Sequence, residues 1–344
     1  MNVFLSNAFK MASGFGLYDA GPEFHATRPS VKWENKSSLT KRRDTYSFID
    51  PFRFAKQLTG KVVLITQAHR GIGRSTSLAF AQAGASVCCL GPTAESLEPL
   101  LLEIKEKFNT PTLALTADLM QPSAPAQVVD LITKHRGPVD ILINITPSPY
   151  LRPLAQESDI MKEWWPHHEA SVRVPITLIQ AVLPSMVHRQ TGIIISTVLA
   201  TAHLQLPYMS QQGVSKAALL KFHHHLELEM RSKGIMSFAV NVGPVPSHLH
   251  DPNLPLEEDD PKHWAKDPGF QASLADKATE MNWPAAGLAS GTFVALCADP
   301  RARILSGLYV NAERDLEELI TRMESDWGRK VERDRLYVLK VDEL

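Results

Sequence analysis

The chain has 344 residues, of which 44% are hydrophobic and 21% charged, enough for one large α/β domain or two small ones. Its formal net charge of −1 excludes a global field that would advertise nucleic acid as a partner. Its three cysteines are too few for a disulfide framework, and a reducing, cytoplasmic setting is expected. No run of 18 apolar residues predicts a membrane span.

Residues 1–45 read as an arm. Their apolar positions follow no period, and 28–43 collects Arg28, Lys32, Lys36, Lys41, Arg42 and Arg43 against Glu34, the pattern of a solvated extension that drapes over the domain or stays mobile. From residue 60 the chain alternates between short apolar runs and segments of helical period. Strands are predicted at 61–66, 86–90, 112–117, 139–145, 192–198, 236–242 and 307–311. Helices are predicted at 72–83, 94–108, 125–135, 163–189 and 212–232. Alternation of this kind means right-handed βαβ crossovers and a doubly wound, seven-stranded parallel sheet of Rossmann type, here spanning 46–315. Cys88 and Cys89 should point to opposite faces of their strand. The proline-rich and acidic stretch 244–284 breaks the rhythm and reads as an insertion over the carboxyl ends of the strands. Leu316, Ile320, Met323 and Trp327 recur at helical spacing in the last segment, 316–344, and predict a C-terminal helix and tail.

The segment from Lys61 to Arg74 carries the first chemical signal. An apolar strand ends at Thr66, a turn with Gly71 and Gly73 follows, and Ile72 opens a helix. Glycines allow close backbone approach and the free helix N–H groups face a negative charge, so this unit suits a pyrophosphate. His223, His224 and His225 are neighbours on a helix, about 100° apart, and cannot converge on one metal. A solvated or packing face is expected there, and no metal.

Several segments in order resemble the short-chain dehydrogenase/reductase family, and its long fungal subgroup most closely. Thr66 to Gly73 resembles the TGxxxGxG turn, with Gln67 in place of the first glycine. Asp118 matches the acidic residue that holds the adenine ring, and Asn144 keeps the first asparagine of the NNAG segment. Gln180 to Met186 resembles the long helix after strand four, Ser215 to Leu219 the SKAAL helix, and Leu305 to Val310 the last strand. The resemblance implies a cofactor site made of Thr66, Arg70, Gly71, Ile72, Gly73, Asp118, Asn144 and Lys216.

An acid ending strand two would bond the ribose 2′-hydroxyl of NAD and repel a 2′-phosphate. Gly91 stands there, and Arg70 lies where NADP-using relatives carry a basic residue, so NADP(H) is the expected cofactor. The catalytic set departs from the family. Its Tyr-x-x-x-Lys pair would make the tyrosine a proton donor and the lysine its activator and ribose ligand. Lys216 remains, but Gln212 stands at the tyrosine position, Leu199 at the serine and Ser171 at the asparagine. Tyr208 and His203 lie in the loop between Leu199 and Gln212, and Ser196, Thr197 and Ser210 add hydroxyls. Tyr208 is the candidate substitute acid, and one member of His167-His168-Glu169 is expected to reach the pocket, with nothing in the spacing to single it out.

The expected activity is an NADP(H)-dependent oxidoreductase step, reduction of a carbonyl or enone or oxidation of an alcohol, on an apolar secondary metabolite. The alternatives are a non-redox isomerase, cyclase or lyase, or a catalytically dead relative. The expected partners are a small-molecule substrate and further copies of the chain, as homodimer or homotetramer through 163–189 and 212–232, with neither nucleic acid nor membrane.

Overall fold

The computed structural model describes residues 38–147, 154, 157, 159–203, 209–243, 284–326 and 328. Seven strands form one sheet: β1 Val62–Ile65, β2 Ser86–Gly91, β3 Thr112–Thr116, β4 Ile141–Asn144, β5 Gly192–Val198, β6 Ile235–Asn241 and β7 Tyr309–Asn311. Their order is β3-β2-β1-β4-β5-β6-β7, and every neighbouring pair is parallel. The helices are α1 Gly71–Gln82, α2 Ala94–Phe108, α3 Ala124–Arg136, α4 Trp164–Ser171, α5 Arg173–Arg189, α6 Ser210–Met230, α7 Ala286–Ala298 and α8 Leu316–Met323. This is the doubly wound sheet expected from the alternation.

Strand side chains alternate between two cores, as a period of two requires. Val63, Ile65, Val87, Cys89, Ile143 and Ile195 pack with Phe80, Ile104 and Phe293 from α1, α2 and α7. Val62, Leu64, Cys88, Leu142 and Ile194 pack with Val128, Ile132, Ile179, Met186 and Leu226 from α3, α5 and α6. Cys88 and Cys89 do fall on opposite faces, and burial pushes both thiols up to about 12.

Two helical expectations need correction. The single helix at 163–189 is two, α4 and α5, broken at Val172 with φ −122 and ψ −60. The stretch Trp164–Arg189 is long and apolar enough by composition to cross a membrane, yet Leu178, Ile179, Val182 and Met186 of α5 are fully buried in the sheet core. α7 is the second correction, a helix missing from the periodic pattern. Leu288 to Leu296 are all buried, so no polar face sets a 3.6-residue period. A Cβ at Gly291 would sit 2.4 Å from the Ile49 carbonyl oxygen, which lets the 48–54 segment lie directly on α7.

The basic run 41–43 is not simply solvated. Arg42 donates to Asp315 at 2.9 and 2.7 Å, Arg43 to Glu313 at 2.7 Å, and Thr40 to Glu318 at 2.6 Å. The Tyr46 hydroxyl oxygen accepts from the Leu316 N–H at 2.7 Å. Residues 38–46 are thereby clasped to the start of α8, and Leu39 is buried. The insertion expected at 244–284 lies outside the described residues as far as 283, as do residues 1–37 of the arm and 329–344 of the tail.

Candidate active site

The chain runs β1, β2, β3 towards one edge of the sheet and then returns to β4 on the other side of β1. The crevice at the carboxyl ends of β1 and β4 is where sheets of this kind bind ligands. Thr66 spans it: its hydroxyl accepts from the Ile145 N–H at 2.8 Å and donates to the Ile145 carbonyl at 3.0 Å.

The turn after Thr66 is shaped for close approach. Gln67, at the resemblance's first glycine position, adopts φ +52, a conformation that L side chains enter at a cost of about 1–2 kcal/mol. Gly71 has φ +49, and a Cβ there would meet no atom within 4 Å, so the space beside it is open to a ligand. Gly73 is the reverse case, since its Cβ would sit 1.9 Å from the Gln67 carbonyl oxygen. Arg70 caps α1 with extended backbone and no side-chain cap, which leaves the first amides of the helix, from Gly71 to Gly73, for an anion. A pyrophosphate therefore fits this turn.

β2 ends at Gly91, where a Cβ would press on Leu97 Cδ2 at 2.9 Å, so packing against α2 explains why no side chain stands there. Thr93 then caps α2. Asp118, beyond β3, is exposed. It accepts from Gln121 Nε2 and the Met120 N–H, both at 3.0 Å, and these bonds hold its carboxyl below the usual range. Asn144 ends β4 in register with Ser196, to whose hydroxyl it donates at 3.4 Å, while its own Oδ1 is buried with no partner among the described residues. A buried, unpaired carbonyl oxygen in the crevice is a polar group that a bound ligand could satisfy.

Gln212 and Lys216 are one turn apart on α6 and each only 3% exposed, so the two side chains share a buried face as the spacing implied. Lys216 Nζ donates to Thr146 Oγ1. Thr146 Oγ1 lies 3.1 Å from Thr197 Oγ1, and the Thr146 N–H donates to the same Thr197 oxygen at 3.0 Å. Burial alone pushes Lys216 down from 10.5 to about 7. Thr146 as the lysine's partner is the residue the sequence reading missed. Its only signal was a hydroxyl two places after Asn144 at the end of a strand.

The remaining candidates separate. Ser171 is buried at the α4–α5 break. Leu199 opens the short helix Ala200–Ala202 after β5, half-buried. His203 stacks edge-on to Tyr309 at 5.0 Å, and burial lowers its pKa. His168, rather than aiming at an open site, meets Ser215 Oγ at 2.9 Å, and Ser210 accepts from Trp164 Nε1 at 3.2 Å. Tyr208 lies outside the described residues. The histidine triplet divides: His223 and His224 are buried, and His225 is exposed. No group of three or more metal-ligating side chains occurs among the described residues.

The comparisons agree with this geometry. A short chain dehydrogenase of Pseudocercospora fijiensis is 36% identical over 310 residues, covering 89% of this chain and 97% of its own. The short chain dehydrogenase pigC of Monascus ruber is 28% identical, covering 82% and 87%. Among solved structures, L-sorbose reductase from Gluconobacter frateurii, complexed with NADPH and L-sorbose, superposes with a TM-score of 0.63 at 25% identity, over 74% of this chain and 95% of its own. The short chain dehydrogenase family model matches residues 61–255. With that match over more than half its length and its glycine turn at the crevice between β1 and β4, the chain belongs to the short chain dehydrogenase family.

Proposed function

We propose that the protein is an NADP(H)-dependent reductase acting on the carbonyl of a fairly large, apolar metabolite. The observation that carries the cofactor choice is the end of β2, where Gly91 packs on Leu97 and leaves no carboxylate to repel a 2′-phosphate. Arg70, at the entry of α1, supplies a guanidinium suited to that phosphate. The amides from Gly71 to Gly73 would take the pyrophosphate, Thr66 fixes the turn to β4, and Asp118, Asn144 and Lys216 complete the cofactor side. Bound NADPH would supply a hydride to the carbonyl carbon. The chain's own residues must then orient the carbonyl and deliver a proton to its oxygen. Proposed oligomerisation through α5 and α6 rests on the family, with Val214 and Leu228 exposed on α6.

A second reading, non-redox chemistry on the same pocket, is favoured by one specific feature. The buried side chain at the family's tyrosine position is an amide with no titratable proton, Gln212. One experiment separates the two. NADPH oxidation and product are followed with activated ketones for wild type, Gln212→Tyr and Gln212→Tyr/Leu199→Ser. Restoring the phenol one turn from Lys216, and the hydroxyl beside it, should raise reduction by ~10²-fold over wild type on simple ketones. Bound NADPH with no reduction by wild type or by either variant favours the non-redox reading.

A further inference from the structure

We propose that Lys216 is the acid–base group of this pocket, and that it exchanges its proton with a bound carbonyl or alcohol oxygen through the Thr146 hydroxyl. The inference deepens the reductase reading and rests on it for the identity of the reaction. In a family whose lysine assists a tyrosine, the loss of that tyrosine leaves the lysine as the titratable side chain at that place on α6.

The geometry separates the two groups by access. Lys216 is 3% exposed, whereas Thr146 stays half-buried at the end of β4 with part of its surface open. Of the two residues the threonine is thus the more open to a ligand in the crevice. Thr146 Oγ1 accepts the Lys216 N–H, so its own hydrogen is free to point to Thr197 Oγ1, 3.1 Å away, or to a ligand oxygen. Thr197 Oγ1 also accepts the Thr146 N–H, which fixes the hydroxyl pair from the backbone side.

The charge environment suits the task. The ammonium's partner is neutral, since Lys216 donates to Thr146 Oγ1, which meets the neutral Thr197 Oγ1, and no charged group contributes to the lysine's shift. Among the described residues, His168 on α4 meets Ser215, the residue before Lys216, and His203 follows β5; burial lowers both, against Glu169 in the case of His168. Desolvation is the sole cause of the lysine's shift to about 7, close to the value at which an acid and its base form are both available in neutral water.

The step balances as follows. The hydrogen and electron pair that reach the carbonyl carbon are those of a dihydronicotinamide, and the carbonyl π pair moves to oxygen. The Thr146 O–H bond breaks and its proton passes to that oxygen. An N–H bond of the Lys216 ammonium breaks and its proton restores the threonine hydroxyl. Lysine is left as the neutral amine and takes a proton back from water. Alcohol oxidation runs the same transfers in reverse.

The test begins on the protein without cofactor. Isotope-labelled lysine is titrated by NMR, with the Lys216 signal assigned by its loss in Lys216→Met, or in Lys216→Arg should Lys216→Met not fold. The proposal expects a midpoint near 7, falling by about half a unit or more in Thr146→Val because the ammonium loses its acceptor. A midpoint above 9.5, or one that Thr146→Val leaves in place, overturns it. Turnover supplies the second arm. Thr146→Val should lose ~10²-fold in kcat while NADPH affinity holds, and Thr146→Ser should recover to within several-fold of wild type. Full activity in Thr146→Val contradicts the relay. A wild type that binds no NADPH sinks the reductase reading alone, since the lysine titration still decides the acid–base role.

Discussion

At the scale of single residues, the glycine turn shows how one substitution relative to a family pattern can be tolerated where another cannot. Gln67 occupies a left-handed conformation at φ +52, so Gln67→Gly removes about 1–2 kcal/mol of backbone strain. The glycine also gives the unfolded chain more freedom, worth about 0.5–1 kcal/mol in the opposite direction. Denaturant unfolding should therefore place Gln67→Gly within about 1 kcal/mol of wild type. A loss above about 2 kcal/mol would mean that the glutamine side chain holds the turn. Gly73→Ala must instead push the Gln67 carbonyl away from a Cβ 1.9 Å distant, and should cost about 1–3 kcal/mol together with most of the cofactor affinity. Unchanged stability and binding in Gly73→Ala would contradict the close approach. The placement of Thr66, Gly71 and Gly73 at the turn between β1 and α1, and of Lys216 on α6, was legible from sequence because their types and spacing mark a strand–turn–helix unit and a helix. The Thr146 partnership was not legible, because it depends on how α6 lies against the ends of β4 and β5.

Elements show a different limit. α2 was readable because Leu97, Leu100 and Ile104 make a buried stripe against a polar remainder, whereas α6 buries Gln212, Lys216 and His223 beside Leu219 and Leu226 and exposes Val214. The boundaries of both shift by two residues at most from those expected. α7 was invisible for lack of any polar side, and the α4–α5 break at Val172 leaves no mark in the apolar pattern on either side of it. α6 also carries a consequence for pH. Burial, with His224 as a lesser cause, lowers His223 to about 3, where its Nδ1 meets Ser237 Oγ at 2.6 Å. Burial, then Lys221 and His225, lowers His224 to about 4, and neither of its ring nitrogens has a hydrogen-bond partner among the described residues. The unfolded chain binds protons at both histidines as pH falls below about 6.5, while the folded chain resists until about 4 and then 3. Stability contributed by these groups is thus full above 6.5 and is lost on acidification through that window, at roughly 1.4 kcal/mol per pH unit for each group. His224→Leu should flatten the stability–pH curve between 6.5 and 4, by roughly 1.4 kcal/mol per pH unit, without lowering stability at pH 7. An unaltered slope, measured by denaturant titration across that range, would show that His224 titrates normally.

For the whole molecule, the doubly wound sheet was predictable because parallel strands buried on both faces leave near-continuous apolar runs, and helices must cross between them. The closure of residues 38–46 onto α8 was not, since a basic run reads as solvated until Glu313, Asp315 and Glu318 are seen to converge on it. The sheet's function follows from its switch point: β1 and β4 part there, the turn at Gly71 opens beside it, and Lys216 is brought beneath the hydroxyls at the ends of β4 and β5. The central claim is that this crevice binds NADP(H), with the missing acid at Gly91 and the guanidinium of Arg70 choosing the phosphorylated dinucleotide. Calorimetric titration of NADPH and NADH into wild type and Arg70→Ala tests it most directly. The account predicts NADPH binding tighter than NADH by on the order of tenfold or more, with the difference largely lost in Arg70→Ala. Equal affinities in wild type, or undiminished discrimination without Arg70, would contradict it.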